Sequence, residues 1–407
     1  MNKLYIGIDV HLKQHVVSIV PIEVFQDNKT DWKKTKSITI GNNRHDFENL
    51  DRLIKSYRVS KDQVNIAIDH TGGHYSEPLS YYLKTKGYGV YFLGAASTKA
   101  AKEWLLGEEN KTDKIDSATL SYLLYLRDFH ENSLHLSVTS ASFDSQSSLL
   151  RALLLQSNYY RKLAAQTTNR LRQYVHAVFP EAEERYFLQI VKVLQNHPTP
   201  GEIMSSPDVF KKSRIMQNSR KAILELAKQT VGIPGETYKY IIQDLAALRL
   251  LNMERMTAMD RNIRELVITH PYSSILMSFP CLKEKSAAII ISTVKDINNW
   301  SNKKKFKKGL GVYSTVRESG EKIIKFRRGM SGDRMCRHGL FMVCLANIHS
   351  KGDNDFKDFF DKQVLKGKPR IKALVATMGK LAEIIYHCLK FNEPYQYQLT
   401  NRSKHKN

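Results

Sequence analysis

The chain is predicted to open with an α/β domain on a mixed sheet, followed by a helical middle region and a mainly α C-terminal domain. Three observations predict this. The first third alternates short apolar runs with amphipathic stretches, the middle carries helical periodicity over long spans, and the last third mixes short helical segments with basic loops. At 407 residues the chain is long enough for two or three domains. Their boundaries read as 1–140, 141–270 and 271–395, with a polar tail at 396–407 expected to be disordered.

Residues 4–8 and 16–20 read as strands joined by a short polar turn, and 36–40 as a third strand with Ile38 and Ile40 on one face. A helix over 44–57 follows, then a short buried strand at 64–68, a helix at 77–86 and a strand at 88–93. Two hairpin-joined strands with an outer one, then βαβ units, give a mixed sheet with helices on its faces. From 141 to 178 a long helix carries Leu149, Leu150, Leu153, Leu154 and Leu163, and Pro180 closes it. Residues 196–201 form a turn. A second long helix, 237–268, spaces Leu245, Leu248, Leu251 and Met253 at helical intervals. The two read as a helical hairpin or coiled-coil arm, through which a homo-oligomer (dimer or tetramer) is expected to form. No internal repeat or low-complexity block interrupts the chain.

The formal net charge is +23 and the isoelectric point about 9.6. From residue 271 onward 27 Lys and Arg face 11 Asp and Glu, so about +16 of the excess sits in the last third. Such a concentration raises the local density of polyanions, and nucleic acid is the leading partner, an anionic membrane surface the second. No stretch approaches the roughly 18 apolar residues of a membrane span. Cys281, Cys336, Cys344 and Cys388 show no CxxC pairing, which excludes a zinc module or disulfide framework and points to free thiols in a reducing compartment. With no signal-peptide pattern before the first strand, a cytoplasmic location is expected.

The candidate chemistry lies in four aspartates. Asp9 ends the first strand in Gly7-Ile8-Asp9, and Asp69 ends a later one in Ala67-Ile68-Asp69. A carboxylate ending an apolar strand is costly unless it is paired or bound to a cation. Side by side, these strands bring both carboxylates to one edge of the sheet. Asp113 and Asp116 open a helix, and their i, i+3 spacing puts them on one face. Taken singly, Asp113 is as well explained as a helix cap and Asp9 as a turn residue. Four converging carboxylates call for one or two divalent cations, and oxygen-only ligands favour Mg²⁺ or Mn²⁺ over zinc. The pairs His11/His15 and His70/His74 are spaced i, i+4 but lack the Glu of HExxH, so neither reads as a histidine metal site. In the basic third, Lys303, Lys304, Lys305, Lys307 and Lys308 offer contacts to a phosphate backbone, with Trp300 and Phe306 as stacking partners for a base.

Three blocks resemble those of the DEDD transposases, the insertion-sequence family one-hundred-ten, which includes the Piv-type DNA invertases. They are Tyr5-Ile6-Gly7-Ile8-Asp9-Val10, Ile68-Asp69-His70-Thr71-Gly72-Gly73-His74-Tyr75 and Lys111-Thr112-Asp113-Lys114-Ile115-Asp116. The resemblance continues through Thr199-Pro200, the stretch from Gly309 to Gly320, Gly332-Asp333-Arg334-Met335-Cys336-Arg337, Lys366-Gly367-Lys368-Pro369 and Gly379-Lys380-Leu381. It implies a RuvC-like, ribonuclease-H-type first domain whose Asp9, Asp69, Asp113 and Asp116 bind divalent metal. It implies a C-terminal transposase domain whose Glu-Ser-Gly block offers Ser319 as nucleophile, with Ser314 the competitor within that block. By pattern alone Ser319-Gly320 is only a turn. Arg317, Lys322, Lys325, Arg327 and Arg328 flank Ser319 and are expected, with Arg334 and Arg337, to neutralise the transferring phosphate. The implied reaction is cleavage and rejoining of DNA, at element ends and target, through a phosphoseryl intermediate and guided by a structured (bridge) RNA.

Two departures stand out. Asp69 occupies the place where the family usually has glutamate, and Phe279-Pro280-Cys281-Leu282-Lys283 lacks the glycines usual at that turn. Competing readings are a RuvC-type junction nuclease, an actin-like ATPase whose first phosphate loop resembles Gly7-Ile8-Asp9, and an inactive nucleic-acid-binding remnant. No second glycine-rich phosphate block is present for an ATPase.

Overall fold

A computed structural model describes residues 3–27, 31–69, 74–93, 112–129, 138–140, 145–206, 209–210, 215–319, 322–328, 332–352 and 354–396. Contacts divide the chain into two units, Met1–Phe143 and Asp144–Asn407.

In the first unit, β1 (Leu4–Val10) is buried along its whole length, as its near-continuous apolar run demands of a strand covered on both faces. It pairs antiparallel with β2 (Gln14–Pro21) and parallel with β4 (Val64–Asp69). After the short α1 (Ile22–Gln26), β3 (Ser37–Gly41) pairs antiparallel with the outer side of β2, and α2 (Arg44–Ser56) follows, capped by the Asn43 side chain. Then come α3 (Glu77–Thr85), β5 (Gly89–Leu93) parallel to β4, α4 (Asp113–Phe129) and β6 (Val138–Ser140) antiparallel to β5. The six strands run in the order β3-β2-β1-β4-β5-β6.

Period-two alternation divides β1 between two cores. Leu4, Ile6, Ile8 and Val10 pack with Phe47, Leu50 and Ile54 of α2 and Leu79 and Leu83 of α3. Tyr5 packs with Ala67, Leu93 and Leu120, Leu123 and Leu124 of α4 on the opposite face. Each such fully buried aliphatic side chain contributes about 1.5–3 kcal/mol. Because both faces are covered, α4 lies over the odd-numbered positions of β1, the set to which Asp9 belongs.

The second unit is mainly helical. It begins with the long α5 (Ser145–Val178), followed by α6 (Pro180–Leu194), α7 (Pro200–Ser205), α8 (Gln217–Lys228) and the second long helix α9 (Lys239–Ile268). Ser157 bonds to Asp260 and Thr168 to Arg249, so α5 and α9 run antiparallel, as the predicted hairpin arm requires. Next are α10 (Ser273–Met277), α11 (Glu284–Val294), α12 (Lys303–Gly309), a hairpin of β7 (Ser314–Ser319) and β8 (Lys322–Arg328), then α13 (Arg334–Ile348), α14 (Asp355–Leu365) and α15 (Arg370–Phe391). The fully buried apolar residues of the α5/α9 pair lie at its ends. One end joins Leu171 and Val175 to Ile242 and Leu245; the other joins Leu150 and Leu154 to Ile263, Val267 and the C-terminal core. Between them the buried residues are polar: Ser157, Thr167 and Asn252.

Three expectations are corrected. Of the apolar stripe on α9, only Leu245 is buried, and Leu248, Leu251 and Met253 are exposed, while the buried Asn252 lies between Leu251 and Met253. The last third is not made of short helices and loops, since α13 and α15 are long and a β-hairpin lies between α12 and α13. Phe306 is not a stacking partner for a base, and Trp300 is only half exposed. Phe306 is fully buried, and Trp300 donates its ring N–H to the Val294 carbonyl at 3.1 Å and lies against Gly309. The tail from 397 lies outside the described residues. Among the described residues, no helix is long and apolar enough to cross a membrane.

Candidate metal centre

The site sits at the C-terminal end of β1. Asp9 is the penultimate residue of that strand and almost wholly buried. The parallel register pairs Ile8 with Ile68, so Asp69, half-buried at the end of β4, is the next residue along on the neighbouring strand. Asp113 and Asp116 occupy the first turn of α4, where the partial positive charge of a helix N-terminus favours carboxylates. The Thr112 hydroxyl accepts a hydrogen bond from the Ile115 N–H at that terminus, and the Asp116 N–H donates to the Thr112 carbonyl.

Three side chains come together. His11 Nε2 lies 3.2 Å from Asp9 Oδ2 and 3.4 Å from Asp113 Oδ2. One ligand atom from each of Asp9, His11 and Asp113 lies within 4.8 Å of the others, close enough to share a cation. The burial is graded, with Asp9 inside, His11 intermediate and Asp113 exposed, so the group opens to solvent on one side. Two carboxylates and an imidazole are a fitting donor set for a divalent cation. Asp69 and Asp116 stand at the same edge but are not members of this group.

Sequence reasoning missed His11, because its i, i+4 relation to His15 drew attention to a pair that the fold does not make. His15 lies on β2 opposite Val10, fully buried, with its ring 6.5 Å from that of Phe47 on the α2 side. Burial, and then the nearby His11, lowers its pKa below the usual histidine value. The signal that would have found His11 is its place two residues after Asp9, in the turn where the His11 N–H bonds to the Gln14 carbonyl. His74 is exposed and pairs with Glu77 at 2.8 Å, and His70 lies outside the described residues.

The remaining predicted residues belong to the second unit. Backbone register sets Ser319 opposite Lys322, Arg317 opposite Lys325, Thr315 opposite Arg327 and Ser314 opposite Arg328, while Gly320 and Glu321 lie outside the described residues. On α12, Lys303, Lys304, Lys305 and Lys308 are exposed. Lys307 is engaged elsewhere, donating to Glu383 at 2.6 Å. Burial pushes Glu383 up, but that bond and the Lys307 charge hold it below the usual carboxylate range. Arg334 is exposed in the first turn of α13, and Arg337, one turn on, is half-buried beside Gly311. Asp333 caps this helix by accepting from the Cys336 N–H at 2.7 Å and pairs with Arg151 at 2.8 Å.

Comparison with known proteins accounts for both regions. The profile of the DEDD transposases of the IS110 type matches residues 6–180, the span containing Asp9, Asp69, Asp113 and Asp116. A second, described as the transposase IS116/IS110/IS902 family, matches residues 273–361, which contain the hairpin and α12. The chain belongs to this transposase family. The insertion element IS116 44.8 kDa protein of Streptomyces clavuligerus is 23% identical over 406 residues, covering 96% of this chain and 95% of its own. The insertion element IS110 43.6 kDa protein of Streptomyces coelicolor is 24% identical over 175 residues, 43% of each chain, so that match spans less than half of the relative. The pilin gene-inverting protein of Moraxella lacunata is 26% identical over 152 residues, 36% of this chain and 47% of its own. For a DEDD transposase, the union of Asp9 with Asp113 across more than a hundred residues of sequence is the feature of the fold that bears on chemistry.

Proposed function

We propose that this transposase cleaves and rejoins DNA strands through a covalent serine intermediate, on a RuvC-like first domain that holds Mg²⁺ or Mn²⁺. The observation that carries the reading is the convergence of Asp9 and Asp113 beside His11 at the end of β1. Asp9 and Asp113 would hold the cation through their carboxylate oxygens, with His11 beside both and Asp69 and Asp116 completing the acidic edge. A divalent cation, when bound, supplies Lewis-acid stabilisation of charge on phosphate oxygens and acidifies an oxygen nucleophile.

In the second unit, Ser319 is the proposed nucleophile. Its Oγ attacks the phosphorus of a DNA phosphodiester and loses its proton, a new P–Oγ bond forms, and the bond to one deoxyribose oxygen breaks as that oxygen leaves. One ester replaces another, so the bond energy is kept for the reverse attack by a different strand end. A serine hydroxyl is a weak nucleophile until its proton is removed. Arg317, Lys322, Lys325, Arg327, Arg328, Arg334 and Arg337 are assigned to charge neutralisation of the reacting phosphate. Lys303, Lys304, Lys305 and Lys308, all exposed, are assigned to the backbone of DNA or of a structured guide RNA, with Lys307 in a supporting role beside Glu383. Assembly as a dimer or tetramer is part of the same proposal, supported by the exposed Leu248, Leu251 and Met253 of α9.

The test incubates the full chain with its flanking DNA, any associated RNA and Mg²⁺ or Mn²⁺, then denatures it and looks for DNA linked to protein. The expected adduct requires the cation, disappears in Ser319→Ala and is lost in Asp9→Asn and Asp113→Asn. Cleaved DNA without an adduct would instead identify a junction nuclease. Binding without cleavage would identify an inactive remnant.

A further inference from the structure

The carboxylate row at the end of β1 is preceded by a row with almost no side chains. Register pairs Gly7 with Ser18 on β2 and with Ala67 on β4, so Ser18, Gly7 and Ala67 lie side by side across three strands. The next position on the same face holds Val16 and Asp9 on paired strands, with Asp69 following Ala67 on β4. Helix α4 rests in this dimple. A Cβ at Gly7 would lie 1.8 Å from the Ser117 carbonyl oxygen and 2.7 Å from the Ser121 nitrogen, both backbone atoms of α4. Ser18 Oγ and Ser117 Oγ are 2.7 Å apart and fully buried. Ser117 also donates to the Lys114 carbonyl at 2.9 Å, which leaves Ser18 to donate to Ser117. These contacts fix α4 one turn beyond Asp113 and at the residue after Asp116.

We infer that Gly7, Ser18 and Ser117 are positioning residues of the metal centre: they set how far α4 drops onto the sheet and so where Asp113 and Asp116 stand relative to Asp9. The inference rests on the proposed reading of that centre as a cation site. Ordinary contact at Gly7 begins at 3.4 Å, so an added methyl requires α4 to move by about 1.6 Å. Mg²⁺–oxygen distances of 2.0–2.1 Å with near-octahedral geometry leave only about 0.5 Å of latitude. A shift of that size separates Asp113 from Asp9 without removing either carboxylate. Losing the Ser18–Ser117 bond, by removing either hydroxyl, frees the same helix turn by a smaller amount.

The test measures Mn²⁺ binding to the purified full chain, without DNA, from the electron paramagnetic resonance signal of the free ion, alongside melting temperature in EDTA. Ser18→Ala and Ser117→Ala are each expected to weaken Mn²⁺ binding about tenfold, and the double variant no more than either alone, because both remove one bond. Gly7→Ala is expected to weaken it further where it folds. Leu124→Ala, which cuts the same helix in its apolar half, is expected to lower the melting temperature at least as much while leaving Mn²⁺ affinity within about twofold. Serine variants that bind like the wild type, or a Leu124→Ala chain that loses affinity in step with stability, overturn the positioning role. A wild type that binds no Mn²⁺, or an Asp9→Ala chain that binds as well as the wild type, overturns the cation reading instead.

Discussion

Cys281 stands where glycine would be easiest, with φ at +59°, in the turn that the sequence marked as lacking its usual glycines. The backbone keeps the left-handed conformation regardless, held in part by the Asn347 side-chain amide, which donates to the Pro280 carbonyl at 2.9 Å. A left-handed β-carbon costs about 1–2 kcal/mol, and a glycine gives back about 0.4–1 kcal/mol through the freedom of the unfolded chain. Cys281→Gly is therefore expected to stabilise the protein by about 0.5–1 kcal/mol, read as a rise in urea midpoint at constant slope. A lowered midpoint would show that the thiol makes a packing contribution larger than the strain. Gly332 is the opposite case. Its φ is +92° and a Cβ would meet the Lys308 carbonyl at 2.2 Å, so Gly332→Ala is expected to cost about 3 kcal/mol in the same assay. Single residues were unequally legible. Asp9 and Asp113 announced themselves by strand end and helix start, whereas His11 became visible only when a turn returned it to Asp9. A side chain acting across a turn leaves no periodic trace.

Among the elements, β1, β2 and β4 were readable because burial on both faces forces continuous apolar runs, and the long helices because their stripes repeat over many turns, whereas the three-residue β6 was not read. The hairpin of β7 and β8 was not. Its stretches Ser314–Ser319 and Lys322–Arg328 are short and rich in Arg, Lys and Glu, so polar composition hid their strand character. The arm of α5 and α9 was legible as a hairpin but not in its polar middle, since serine and asparagine at seam positions resemble surface residues until the partner is known. At the C-terminal side of that middle, Ser157 donates to Asp260 at 2.6 Å and Lys285 of α11 donates to the same oxygen at 2.7 Å. Burial raises the Asp260 pKa, and the bonds from Lys285 and Ser157 outweigh it, for a net lowering. A carboxyl with a depressed folded pKa adds stability that is complete above its unfolded value near 3.9 and is lost as pH falls through the folded value. Asp260→Asn is thus expected to cost about 1 kcal/mol at pH 7, modest because both partners are about a third exposed, with the gap to wild type closing below about pH 4. Thermal melts of both chains across that range check this, and a gap that persists at low pH would assign the effect to packing.

On the scale of the whole molecule, charge was the most legible property and its use the least. The excess of +23 favours a polyanionic partner, and the described side chains show which of the cations on α12 and at the start of α13 are exposed. Lys303, Lys304, Lys305, Lys308 and Arg334 are exposed, and Lys307 is tied to Glu383. These five contacts alone predict a log–log salt slope at least as steep as about −4.5, hence a loss of duplex affinity of at least roughly a hundredfold between 100 and 300 mM KCl. Replacing Lys303, Lys304 and Lys305 by alanine is expected to flatten that slope by about 2.7, measured by fluorescence anisotropy. An unchanged slope would move the binding surface elsewhere. The sheet order has one more consequence, which concerns synthesis. Asp9 leaves the ribosome early, but its partner Asp113 heads a helix that follows β5, and that helix must pack on Gly7 before the two carboxylates meet. Translation halted before about residue 129 therefore yields a polypeptide with half of its acidic pocket and nothing to close it.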